Sequence, residues 1–445
     1  MEQQQTRSDA STTLNVAELH DTWPVLPPPE RFERFQRLSC PAAKAFFLEL
    51  DAHDQVELVR QLPLAEQKLW MRMLAPDDAA DVIQEASAEE RAGLLALLEE
   101  PVREDVLKLL TYAEDHAGGL MNPRFARVRP EMTRDEALHA LRRQAKDQLE
   151  TPYYVYVLDR RQRLLGVVSF WELFTAPAGK TMQELMRTDV VSVTEVQDQE
   201  AVAALIAQHD LLAVPVVDAA GRIQGIVTVD DVVDVVQEEA TEDIQKLAGM
   251  GAFDRPYMRT SFAAMLKKRA GWLAVLFLGE LFTATAMGYF ESELAQAVVL
   301  ALFVPLIISS GGNAGSQAST LMVRALALGD VRLRDWWRVA RRECLTGLAL
   351  GAMLGGIGLV RILLWQWLFH VYGTHPLLVG LSVGLSLIGV VLWGPIVGSM
   401  LPFLLHRLGF DPASASAPLV ATLVDVTGLV IYFSMASLVL RGTLL

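Results

Sequence analysis

The sequence predicts a multidomain membrane protein: an all-α superhelical amino-terminal domain, an α+β pair of repeated units and a five-helix α transmembrane domain. Three observations predict it. Hydrophobicity is concentrated after residue 270, where apolar runs are long enough to cross a bilayer. Two stretches offset by 59 residues align with each other in the middle of the chain. Ahead of them, Pro63, Pro76, Ser87 and Pro101 recur eleven to fourteen residues apart, each before a short amphipathic run.

Charge divides the chain in the same place. Of 53 acidic residues, 45 lie in the first 270, against 30 of the 39 Lys and Arg, so this part carries about fifteen net negative charges. A region so acidic suits cations and does not draw nucleic acid to itself, and no nucleic-acid partner is predicted. Cys40 and Cys344 are the only cysteines, which implies no disulfide framework and a reducing compartment for the soluble part. No phosphate-cradling loop or transition-metal ligand pattern occurs, and no enzyme is predicted.

Residues 1–40, with "EQQQTRSDASTT" and "PVLPPP", hold no signal-peptide apolar region and read as a disordered lead. Residues 41–120 read as short helices, since Pro suits a first helical turn and Ser suits a cap. Residues 121–245 hold the repeat, "YVLDRRQRLLGVVSFWELF" against "PVVDAAGRIQGIVTVDDVV", which matches Asp159 to Asp218, Gly166 to Gly225 and Ser169 to Thr228. Each unit reads strand, turn, strand, helix.

Residues 246–269 read as a connecting helix and 270–445 as the transmembrane domain, with spans near 270–290, 295–325, 344–369, 376–405 and 414–440. Lys267, Lys268 and Arg269 precede the first span, and Arg324, Arg332, Arg334, Arg338, Arg341 and Arg342 separate the second from the third. These flanks are expected in the cytosol, with the Lys- and Arg-free 370–375 connection outside. The soluble part is then cytosolic and the C-terminus outside, in a multi-pass protein of the cell (inner) membrane.

Within the last span Asp425 lies about eleven residues in, roughly 16 Å along a helix and so near mid-membrane. Ala421, Thr422 and Gly428 share its face and leave room for a bulky object near backbone carbonyls. Intramembrane carboxylates are costly and commonly functional; the alternative is a protonated or helix-paired structural aspartate. In the second span "SSGGNAGSQAST" supplies Gly311, Gly312, Asn313 and Gly315, which either line a watery path or form a small-residue packing face. Glu280, also near mid-membrane, is read as a bond to a neighbouring helix before a pore residue. Arg361 is placed to snorkel toward the outer interface. Two acidic clusters stand out in the soluble part, "VDDVVDVVQEEATEDI" and "PDDAAD", and a solvated acidic surface would explain either.

The repeat over Met121 to Glu239 resembles a tandem CBS module. That resemblance implies a pocket for adenine nucleotides such as ATP, with a Ser/Thr-x-x-Asp step at the ribose. Thr228 and Asp231 fit the step, while Ser169 and Glu172 depart from it. Most of the chain resembles the MgtE family of magnesium channels, through "YAEDHAGGLM", "GGNAGSQAST", "LRDWWRVARRE", "LPFLLHRLGFDPA" and "PLVATLVDVTGLVIYF". The family implies a homodimer in membrane lipid with one central pore, where Asp425 holds a hydrated Mg²⁺ supported by carbonyls of Ala421 and Gly428. It implies regulatory Mg²⁺ in the cytosolic domains, for which Asp77, Asp81, Asp210, Asp231, Asp234, Glu239, Glu242 and Asp243 are the candidates. "FDRPYMRTSFAAMLKKRAGW" resembles the family's plug helix.

Chemistry agrees with the resemblance. Mg²⁺ is hard and gives up its waters reluctantly, so carboxylates and carbonyls spaced for the hydrated ion suit it. The expected function is a Mg²⁺-selective uptake channel that cytosolic Mg²⁺ closes, with ATP a candidate regulator. The alternatives are a less selective channel for Co²⁺, Mn²⁺ or Ni²⁺, and a non-conducting membrane-anchored sensor of Mg²⁺ or nucleotide.

Overall fold

Short helices of the amino-terminal region begin where the sequence places a proline or a capping side chain. The structure, a computed structural model, describes residues 16–145, 149, 151, 153–253, 257–292, 298–372 and 375–441. It holds two compact units, 1–239 and 240–445. The first opens with α1 (Val16–Thr22), α2 (Pro28–Gln36), α3 (Cys40–Leu48), α4 (Ala52–Gln61), α5 (Leu64–Met71), α6 (Pro76–Glu85), α7 (Ala88–Leu97) and α8 (Glu100–Leu109). Pro63 sits at the cap of α5, Pro76 is the first residue of α6 and Pro101 the second of α8. Ser87 starts α7 through a reciprocal cap, its hydroxyl donating to Glu90 at 2.6 Å.

The disordered lead expected over 1–40 is corrected from residue 16 onward; residues 1–15 lie outside the described residues. Leu19, Trp23 and Phe35 are buried in one core with Phe46 and Phe47. The Trp23 indole N–H donates to Asp54 at 2.6 Å, and Arg31 donates to the same buried carboxylate at 3.1 Å. The proline run that looked disordered instead opens α2, because a fixed φ and a missing N–H cost nothing in a first turn.

The repeat follows as α9 (Ala117–Leu120), β1 (Arg127–Val128), α10 (Arg134–Gln144), β2 (Tyr154–Leu158), β3 (Leu164–Ser169) and α11 (Phe170–Thr175). The second copy is α12 (Met182–Leu185), β4 (Val193–Thr194), α13 (Gln199–His209), β5 (Ala213–Val217), β6 (Ile223–Thr228) and α14 (Val229–Leu247). β1 runs parallel to β2 and β2 antiparallel to β3; β4, β5 and β6 repeat this arrangement. Asp159 accepts from the N–H groups of Arg161 and Arg163, and Asp218 likewise from Ala220 and Arg222, so one aspartate folds each turn. The copies also interlock: Asn122 exchanges backbone hydrogen bonds with Ile226, and Arg187 with Val167.

The second unit carries α15 (Phe262–Tyr289), α16 (Val304–Ala327), α17 (Trp336–Phe369), α18 (Pro376–Arg407) and α19 (Ala417–Leu440). All five are long and apolar enough to cross a membrane. Among the described residues, no separate connecting helix spans 246–269. α14 ends at Leu247, where Gly249 takes a left-handed φ of 73° and the Met250 N–H returns to the Gln245 carbonyl. After a short turn at Tyr257–Arg259, Ser261 caps α15, so the plug-like stretch from Phe262 onward is the start of the first span's own helix, and residues 254–256 lie outside the described residues. Arg361 reaches the Tyr372 hydroxyl at 3.0 Å and lies over the Trp365 ring, late in its span as expected.

α16 stays helical through its glycines because these are where it meets α18. A Cβ on Gly315 would lie 2.9 Å from the Gly394 carbonyl oxygen, and a Cβ on Gly398 would run into the Gly315 carbonyl. Small residues let two backbones touch in lipid, where no hydrophobic force drives helices together. Gly398→Ala is therefore expected to destabilise the detergent-solubilised protein by about 1–3 kcal/mol through overpacking. An unchanged melting temperature would show that the helices separate at no cost.

Candidate functional site

The intramembrane acid sits where three helices converge. Ser416 caps α19, its hydroxyl accepting from the Leu419 N–H at 3.3 Å. About two and a half turns on, half-buried Asp425 faces α16: the Cβ position of Gly312 lies 3.7 Å from Asp425 Oδ1 and 3.5 Å from the Ala421 Cβ. Glu280 of α15 brings its carboxyl within hydrogen-bonding reach of Asp425. No Lys, Arg or His pairs with either carboxylate among the described residues.

The neighbouring candidates separate by what they touch. Gly312 lies at the Asp425 side and Asn313 is exposed, its amide donating to Ser309 at 3.4 Å, whereas Gly311 and Gly315 are packed against Val390 and Gly394 of α18. The packing reading thus accounts for Gly311 and Gly315. Gly428 is buried with Val390 at 3.0 Å from its Cβ position, which leaves only its carbonyl for any ligand. Thr422 is occupied, its hydroxyl donating to the Pro418 carbonyl at 3.0 Å.

In the first unit the acidic stretches of α6 and α14 come within electrostatic range of each other. Burial by the surrounding protein, then the charges of Asp78, Asp231, Glu114 and Glu238, push the Asp81 carboxyl up to about 8, while its side chain keeps solvent access. Burial pushes Asp231 up to about 6 against the opposing hydrogen bonds of Thr228. Asp78 is raised by burial and by Asp230, and Glu238 by burial and by Asp234, Glu239 and Glu114. No basic side chain pairs with Asp78, Asp81, Glu114, Asp230, Asp231, Asp234 or Glu238 among the described residues. Nor do three or more such side chains there close into a tight metal cage.

Other predicted ligands are engaged elsewhere. Asp77 turns inward and accepts from the Asn122 amide at 3.0 Å, so of the i, i+4 pair only Asp81 faces the cluster. Asp78, one residue later, takes the place expected of Asp77; its i, i+3 spacing to Asp81 was a readable signal, and Glu114 had none. Asp210 ends α13 in a left-handed conformation with φ of 50°. Glu239 accepts from Gln199 at 2.7 Å. Glu242 pairs with Lys246, whose ammonium also reaches Asp411 at 2.5 Å. Burial alone would lower Lys246, but those two hydrogen bonds outweigh it and raise its pKa. Asp243 follows on the same helix and has a partner of its own.

The nucleotide step also has a local job. The Thr228 hydroxyl and N–H donate to Asp231, at 2.6 and 3.2 Å, and cap α14. Ser169 and Glu172 cap α11 in the same way, at 2.7 and 2.9 Å. Aspartate in one copy and glutamate in the other thus fill the same local role.

Comparison with known proteins covers most of the chain. The family model described as "Divalent cation transporter" matches residues 304–435, "MgtE intracellular N domain" matches 14–115, and "CBS domain" matches 117–179 and 182–238. The "Magnesium transporter MgtE" of Thermus thermophilus is 46% identical over 369 residues, 82% of this chain and 80% of that protein. The Bacillus subtilis protein of the same name is 33% identical, over 87% of this chain and 84% of its own length. The crystal structure of the cytosolic domain of the Mg²⁺ channel MgtE in complex with ATP is similar at 38% identity and a TM-score of 0.47, covering 50% of this chain and 90% of that one.

Proposed function

The chain belongs to the MgtE family of magnesium transporters, and from that premise we propose that it is a homodimeric Mg²⁺ channel closed by Mg²⁺ bound to its cytosolic carboxylates. The observation that carries the reading is Asp425, a half-buried carboxylate beside Gly312 and Ala421 with no basic partner among the described residues. A two-fold axis through the pore would set two such carboxylates face to face. They repel until a divalent cation arrives, and a hydrated Mg²⁺ needs oxygen acceptors at the distance of its water shell rather than a close cage.

The cytosolic cluster supports the regulatory half. Burial first, and then the charges of neighbouring carboxylates, raise the carboxyls of Asp78, Asp81, Asp231 and Glu238 above the usual range. A divalent cation relieves that crowding and favours whichever conformation gathers the carboxylates. An ion that binds the gathered state better shifts the population toward it, which gives negative feedback when that state is the closed one. Positively charged flanks support a cytosolic soluble unit and, with five candidate spans, a C-terminus outside.

ATP is the second candidate regulator, through Thr228 and Asp231. Calorimetric titration of the full-length protein with ATP is expected to give saturable heat that Asp231→Ala removes. Absence of heat in the unaltered protein would strike ATP from the account. The mechanism itself is tested by Mg²⁺ flux into proteoliposomes.

A further inference from the structure

We infer that Glu280 is a second pore carboxylate, holding the permeating hydrated Mg²⁺ together with Asp425. The inference rests on the reading of Asp425 as the pore site. α15 lies alongside α19 in a fixed register: the Trp272 indole N–H donates to the Ser416 hydroxyl at 3.3 Å. The Cβ position of Gly279 lies 2.6 Å from Thr422 Cγ2, so no side chain fits between the helices there. One residue on, this contact delivers the Glu280 carboxyl to Asp425.

Three features distinguish Glu280 from a helix anchor. A carboxylate anchored in lipid as an ion pair needs a basic partner, and among the described residues no Lys, Arg or His pairs with Glu280. The group it hydrogen-bonds is another carboxyl, a neighbour that a negative charge disfavours and a bridging cation reconciles. Its side chain is also exposed on the five-helix unit, and α15 has no buried residue, so this face is open where an ion would reach Asp425. A charge pointing into bare hydrocarbon is costly, whereas one pointing into a watery path is not.

The test compares four proteins in Mg²⁺-flux proteoliposomes: unaltered, Glu280→Gln, Glu280→Asp and Asp425→Asn. Glutamine keeps the reach of Glu280 and can still hydrogen-bond Asp425, so a purely structural role survives the change while the charge is lost. Glu280→Gln is expected to raise the half-saturating Mg²⁺ concentration about tenfold, the size of one charge-assisted contact. Its elution profile and melting temperature should stay unchanged, and Glu280→Asp should recover part of the loss. Unaltered saturation in Glu280→Gln, with flux lost in Asp425→Asn, would overturn the role of Glu280 and leave Asp425 as the pore site. Unaltered saturation in both variants would overturn the Asp425 reading and this inference with it.

Discussion

Asp425→Asn is expected to lower Mg²⁺ flux at least tenfold while leaving folding and association intact. The substitution preserves volume and removes one charge per protomer from the helix that also carries Ala421 and Gly428. A hydrogen bond to a charged group contributes about 1.5–3 kcal/mol, which corresponds to roughly ten- to hundredfold in occupancy. Asp425 is only half-buried and has no basic partner among the described residues, so its neutralisation strands no opposing charge. Normal flux with normal selectivity would remove Asp425 from the pore.

Replacing Asp78, Asp81 and Asp231 together by asparagine is expected to abolish most of the stabilisation that Mg²⁺ gives the protein. Asparagine at position 231 keeps a side-chain oxygen to accept from Thr228, so the start of α14 is expected to hold. In the unaltered protein Mg²⁺ at a hundred times its dissociation constant adds about 2.7 kcal/mol per site. The effect has a pH signature. Asp81 and Asp231 lie at about 8 and about 6 when folded, above the ordinary aspartate value, so the folded protein binds protons more tightly than the unfolded chain. Without Mg²⁺, stability is then fullest in acid and falls as pH rises from the ordinary carboxylate range toward 8. Mg²⁺ binds the ionised carboxylates, and its stabilisation grows across the same window. Melting curves with and without Mg²⁺ at acid and alkaline pH check this; equal Mg²⁺ shifts in the triple variant would make the cluster an ordinary acidic surface.

Periodicity carried most of the fold. The offset of 59 residues recurs between β2 and β5 and between β3 and β6, and the cap residues of α5, α6, α7 and α8 were readable because each acts locally. The amino-terminal lead was misread because composition cannot show that Trp23 and Arg31 converge on Asp54, a long-range contact. The connecting helix, expected from the resemblance alone, gave no local sign that Gly249 turns the chain with a left-handed φ at the end of α14. In the membrane, Asp425 was legible as an anomaly, but which glycines pack and which face it depends on α18, far along the chain. In the soluble unit, sequence spacing grouped Asp77 with Asp81, and only the hydrogen bond from Asn122 turns Asp77 away and leaves Asp78 in its place.

The most direct test is Mg²⁺ flux through protein reconstituted in liposomes, with Mg²⁺ varied separately on the side that bears the soluble unit and on the other. Flux is expected to saturate with Mg²⁺ on the far side and to fall steeply as Mg²⁺ rises on the side of the soluble unit. Flux indifferent to Mg²⁺ on the soluble-unit side, or no flux at any concentration, would contradict the proposed channel.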